Sequence, residues 1–153
     1  MGSFKFSTPR CFSLLFIVFI FSSATGFTQQ NSSTANAYFV VENYYKVKWG
    51  YADEFISLWK ANHYPLLKKA IEKGDIISVI ASKPRYHSGE DTRWDFRVTL
   101  VFKSPALAFD ESLTEPYKKL LYPDQETYRK EEQHRFELLI SHWDIETGNI
   151  LLN

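Results

Sequence analysis

The chain has 153 residues with 18 basic and 18 acidic side chains, so its formal net charge is zero. A hydrophobic content of 44%, with 17% aromatic residues, is enough to build one core without metals or disulfides. No basic block stands out, which removes the electrostatic footprint that a nucleic-acid partner requires.

In chain order, residues 1–26 read as a secretory signal peptide. Lys5 and Arg10 form a basic start, Cys11 to Phe21 is an apolar run too short to span a bilayer, and Ala24-Thr25-Gly26 supplies the small residues of a cleavage site. Cys11 is the only cysteine, so the mature chain would hold no thiol for a disulfide, a metal or a nucleophile. Setting this segment aside leaves 16 basic against 18 acidic residues. The expected location is secreted or periplasmic, with no membrane attachment after signal removal. Residues 27–37 are small and polar and read as a flexible leader. The sequon Asn31-Ser32-Ser33 within it reads as a chance match. The folded domain is expected over residues 38–153.

Tyr38 to Lys48 alternates as a first strand, with Phe39, Val41, Asn43, Tyr45 and Val47 on one face and Tyr38, Val40, Glu42, Tyr44 and Lys46 on the other. A helix follows Gly50, carrying Phe55, Leu58, Trp59, Asn62, Leu66 and Ala70 at helical spacing and stopping at Gly74. Pro65 predicts a kink or break over Asn62 to Pro65. Ile76 to Ser82 is a second strand. Lys83 to Arg93 is a long polar connection in which Arg85, Tyr86 and His87 could meet an anion or a partner chain. Trp94 to Lys103 is a third strand, with Trp94 and Phe96 assigned to one side. Ser104-Pro105 opens a second helical region running to about Leu121. A short charged helix is expected over Thr127 to Arg135, and a last strand over Phe136 to Ile145.

Strand-helix-strand, given twice, predicts an α+β ferredoxin-like sandwich. Its four-stranded antiparallel sheet has the order 4-1-3-2, with two main helices on one face. The run V-E-N-Y-Y-K-V…G…F…L-W, the strand V-T-L-V-F-K-S and the helix opening S-P-A-L-A-F resemble the dimeric α+β barrel superfamily. Within it the chain is most similar to the antibiotic-biosynthesis-monooxygenase-like group, which includes haem-degrading enzymes. The resemblance covers about Tyr38 to Ile145. It implies that Asn43, in its setting V-E-N, sits in a pocket. Where the haem-degrading members have a tryptophan, this chain has Phe102. Where they have a histidine, within Ser104 to Leu121, this chain has none.

The expected site lies between sheet and helices, walled by Phe39, Tyr45, Trp59 and Phe102, with Asn43 as its main polar group. His63 beside the proline and His142 on the last strand are candidates for a proton acceptor or an axial ligand; together with Asn43 they form the candidate catalytic set. His134, in the charged helix, is expected to face solvent. No metal-ligand spacing, phosphate loop or nucleophile elbow is found. Three functions are compatible with these residues: a binding protein for a small aromatic or polycyclic ligand, without a cofactor; a cofactor-independent monooxygenase-like enzyme acting on a quinol or polyphenol; and a haem-binding protein. A homodimer is expected, because large apolar residues occupy the strand face away from the helices: Tyr38, Val40, Tyr44, Ile76, Ile80, Leu139, Trp143 and Ile145. Arg97 is expected to pair there with Glu42.

Overall fold

The computed structural model describes residues 1–2, 38–86 and 88–148. The expected signal segment and leader, His87 and the last five residues lie outside these apart from Met1 and Gly2. Four strands, β1 (Phe39–Val47), β2 (Ile76–Ser82), β3 (Phe96–Phe102) and β4 (Leu139–Thr147), form one antiparallel sheet in the order β2-β3-β1-β4. This is the 4-1-3-2 order of a ferredoxin-like sandwich.

Strand β1 leads into a turn in which the Tyr51 N–H donates to the Lys48 carbonyl at 3.1 Å and Gly50 takes a φ of 85°, which a side chain would oppose. Helix α1 (Ala52–Leu58) then runs without a break into a π-helical turn, Trp59–His63, and helix α2 (Tyr64–Lys73). The expected disruption at Pro65 therefore takes the form of one widened turn. Proline cannot donate to the turn before it, and widening that turn satisfies the geometry without breaking the helix. The hydroxyl of Tyr122 lies 2.8 and 3.0 Å from the carbonyls of Ala61 and Asn62 and donates into this turn. Gly74, left-handed at φ 86°, ends α2.

The second helical region is two short helices, α3 (Pro105–Ala108) and α4 (Glu115–Leu121), rather than one. The polar stretch Asp110-Glu111-Ser112 between them favours a turn: the Asp110 carboxylate accepts from the Ser112 N–H at 2.9 Å. Helix α5 (Gln125–Glu137) is longer than expected. Asp124 caps it, accepting from the Glu126 and Thr127 N–H groups at 3.1 and 3.0 Å. The helix absorbs Phe136, so the last strand starts at Leu139 and not at Phe136. His134 on α5 is half-exposed and reaches Glu54 of α1 at 2.7 Å.

The core lies between the helices and one sheet face. Phe55, Leu66, Ile76, Val47 and Val98 are its largest fully buried side chains. Each stabilises the fold by roughly 1.5 to 3 kcal/mol through the apolar surface it removes from water. β3 alternates cleanly, with Phe96, Val98, Leu100 and Phe102 buried between less buried neighbours. The outer strands do not. Ile76 pairs with Phe102 and Ser78 with Val101, so Ile77 is an extra residue. Val47 pairs with Leu139 and Lys46 with Ser141, so Ile140 is another. These two bulges correct the expected face assignment. Ile76 is 1% exposed and belongs to the core, and Leu139 packs against the core from the helix side. Trp94 also changes sides. It precedes β3, and its ring meets Tyr44 edge-on at 5.8 Å and the Arg97 guanidinium at 5.6 Å.

The face away from the helices still carries Val40, Tyr44, Ile80, Val101, Trp143 and Ile145. Ile80 and Ile145 are exposed, and Tyr44 and Trp143 stack with their rings 2° from parallel. Glu42 forms its centre. It lies 3.6 Å from Arg97, as expected, and also accepts from the Tyr44 hydroxyl and from Thr99.

Candidate functional site

The β1–β4 register sets Tyr45 opposite His142 and Asn43 opposite Asp144, all four on the helix side. The His142 ring stacks on Tyr45 at 4.4 Å, 7° from parallel, and its Nε2 lies 3.0 Å from an Asp144 carboxylate oxygen. When Nε2 carries the proton and donates to Asp144, the basic lone pair is on Nδ1. Tyr45 is buried, and burial pushes its hydroxyl up to about 12.

The π-helical turn places Trp59 and His63 over the same region. Their rings are 5.8 Å apart. Trp59 is 2% exposed and its indole N–H has no hydrogen-bond partner. His63 is held neutral. Burial lowers its pKa to about 4, and the nearby charge of Arg135 pushes the same way, with smaller downward pushes from Lys118 and His142. Arg135, itself 3% exposed, is gripped by Glu132 at 3.0 and 2.8 Å. Sequence reasoning missed this buried ion pair because its segment reads as a solvent-facing charged helix. Asn62, also buried, donates to Glu131 at 2.9 Å and ties the turn to α5.

His142 thus packs on Tyr45 and His63 beside Trp59, and Tyr45 and Trp59 belong to one core cluster. Asn43 shares the sheet face of Tyr45, but its amide is engaged elsewhere, donating to the Val98 carbonyl on β3 at 3.2 Å. Phe102 is a core residue, 6% exposed.

Open space lies on the other side of the sheet's helical face, along β2. An inner recess of about 360 Å³ is lined by Trp59, Lys60, Tyr64, Val79 and Ala81. A middle recess of about 480 Å³ shares Lys60 and Ala81 with it and adds Ile56, Ser57 and Phe96. An outer recess of about 260 Å³ shares Asp53, Ile56 and Lys83 with the middle one. The inner and middle recesses form one groove running between α1 with its π-helical turn and β2, and the outer recess lies beyond its end, at the β1–α1 turn. Of the predicted wall residues, Trp59 lines this groove, whereas Tyr45, Phe102 and Asn43 do not. Val79 and Ala81, whose modest size leaves the space, were legible only as strand residues. Among the described residues, no cluster of three or more histidine, aspartate, glutamate or cysteine side chains is placed to hold a metal ion.

No family model matches the sequence, and no curated protein matches it. The structure is similar to several solved ones. A protein from Arabidopsis thaliana is 12% identical, with a TM-score of 0.47 over 75% of this chain and 98% of that one. A dimeric ferredoxin-like protein from an uncultured marine organism is 7% identical, with a TM-score of 0.47 over 76% and 93%. A candidate antibiotic biosynthesis monooxygenase from Nitrosomonas europaea is 12% identical, with a TM-score of 0.45 over 75% and 92%. These are likenesses in the path of the chain, between sequences that share few residues.

Proposed function

We propose that this chain is an exported, homodimeric binding protein that takes a small aromatic ligand in the groove between its helices and strand β2. The observation that carries this reading is the inner recess. Trp59 and Tyr64 stack at 5.9 Å beside Val79 and Ala81, and Lys60 also lines the recess. Apolar walls with few polar groups suit a flat ring, and the cation orients its polar substituents. Titration with a panel of phenols and polycyclic aromatics, followed by tryptophan fluorescence, tests it. Ala81→Trp fills the recess and is expected to weaken binding by about tenfold or more. Equal binding by wild type and variant would remove the ligand from the groove.

The homodimer is supported by the uncovered sheet face. Burying its large side chains under a second copy would stabilise the pair by roughly 1.5 to 3 kcal/mol for each fully covered residue. Val40→Asp with Trp143→Asp is expected to yield monomer in light scattering. A wild-type chain that runs as monomer at micromolar concentration contradicts the proposal. Export rests on Lys5, Arg10 and the apolar run after them. Full-abundance peptides containing Lys5 in the exported protein would contradict it.

A catalytic reading is favoured by one feature, the His142–Asp144 pair over Tyr45. A carboxylate-held imidazole can take the proton of a quinol hydroxyl, and the electron-rich anion can then reduce oxygen without a cofactor. Oxygen uptake with quinols that disappears in His142→Ala would establish this activity. Haem binding has less support. Asp144 engages Nε2 of His142, and the His63 ring packs beside Trp59. A shifted Soret band on mixing with haem would restore that reading.

A further inference from the structure

We propose that the outer recess, between the β1–α1 turn and the β2–β3 connection, is a separate site for a small aromatic carboxylate. Its walls combine exposed aromatic faces with two cations, Lys48 and Arg85, that form no ion pair among the described residues. Trp49 is 64% exposed and Tyr86 80% exposed, and both line the recess. Trp49 is also held in place. The Arg93 guanidinium lies 4.1 Å from its ring centroid, so one face is covered and fixed. Arg93 is 5% exposed and immobile, because both terminal nitrogens donate to the Val47 carbonyl at 3.2 Å and it pairs with Glu90 and Asp95. A pinned indole with a free face is a stacking platform that loses little freedom when a ring settles on it.

The charge around that platform is unbalanced. The lining holds Lys48, Lys83, Arg85 and Arg93 against Asp53 and Asp95, an excess of two positive charges on a chain that is neutral overall. Asp95 is consumed by Arg93 and by the Val47 N–H at 2.8 Å. Asp53 meets Lys83 at 3.6 Å with both side chains largely in water, an arrangement that constrains Lys83 little. Lys48 and Arg85 make no ion pair among the described residues. Arginine can grip a carboxylate with two parallel hydrogen bonds, and lysine adds a point charge. A volume of about 260 Å³ is small for a ligand pocket and suits one substituted ring.

The proposal does not depend on the groove ligand, and 4-hydroxybenzoate tests it directly. Titration of the full mature chain is expected to quench tryptophan fluorescence and to shift the Trp49 indole resonance. The methyl ester of the same acid, and the acid with Arg85→Gln plus Lys48→Gln, are each expected to bind about tenfold more weakly or worse. Trp49→Ala is expected to have the same effect, and Ala81→Trp, which fills the inner recess, none. Circular dichroism confirms that these surface variants remain folded. Four results overturn the proposal: no binding of the acid at millimolar concentration, equal binding of acid and ester, loss of binding in Ala81→Trp, or displacement by inorganic phosphate at the same concentration as by the acid itself.

Discussion

The two outer strands border regions of opposite character. Beside β4 the chain gathers its reactive groups, Tyr45, His63, His142, Asp144, Glu132 and Arg135, and packs them against one another. Beside β2 it leaves a groove whose walls are mostly unreactive: Ile56, Tyr64, Val79, Ala81 and one face of Trp59. Titratable groups in mutual contact gather on one side, and open space on the other. Tyr45, Arg135 and Glu132, the buried or nearly buried members of this set, act first as framework, whereas His142 and Asp144 stand exposed on the edge strand. A ligand can enter the β2 side without dismantling the core. Trp59 touches both regions: it lines the inner recess, and its ring lies 5.8 Å from that of His63.

This contrast can be broken most directly at Arg135. Arg135→Ala leaves Glu132 partly buried without its partner, and we expect a loss of about 3 to 5 kcal/mol in urea denaturation. A loss under about 1 kcal/mol would show that the β4 side is not framework. The same variant removes a charge that lowers the His63 pKa, so in an NMR titration the His63 resonance should titrate nearer its ordinary value.

The next effect is on pH dependence. Folded His63 titrates near 4, and in the unfolded chain it returns to 6.5. Its contribution is therefore fully present above pH 6.5 and drains away as pH falls towards 4, because the unfolded state takes the proton first. The expected loss is roughly 2 to 3 kcal/mol across that window. His63→Gln should flatten this part of the curve. An unchanged slope in the variant would place the acid sensitivity elsewhere.

Asn43→Ala should cost about 1 kcal/mol, the worth of its bond to the Val98 carbonyl, and leave the affinity of a groove ligand within about twofold. A tenfold loss of affinity would mean that the ligand extends across to β1. The smallest stability effect is expected for Ala81→Trp, within about 0.5 kcal/mol of wild type, because the added ring enters open space. A clear drop in melting temperature would show that the groove is narrower than its volume suggests.

The sheet order was legible because β1 and β3 alternate, so their faces follow from the sequence alone. The outer strands were less legible. Ile76-Ile77 and Leu138-Leu139-Ile140 are apolar at consecutive positions, and periodicity cannot reveal which residue is the extra one. The end of α5 was hidden for a related reason. Phe136 and Leu138 suit a strand, but the helix that starts at the Asp124 cap carries the chain past Phe136. Trp59 was identifiable as a wall residue from its place on the apolar helix stripe. The groove was not, since it depends on Val79 and Ala81 lying opposite that stripe, and on which strand forms the edge.

The bulges at Ile77 and Ile140 also bear on how far this sheet can grow. β2 and β4 are its two edges, and an exposed edge is a template on which further strands can add without limit. Each edge here carries one residue out of step, 43% and 51% exposed, which interrupts the regular row of donors and acceptors. A newcomer strand cannot match either row along its length. Growth by strand addition is thereby discouraged at both ends, while pairing through the faces is untouched. Association of this kind ends at a closed pair instead of continuing into a fibre. Deleting Ile77 would make the β2 edge regular, and a shorter lag in thioflavin-detected fibril growth is the expected sign.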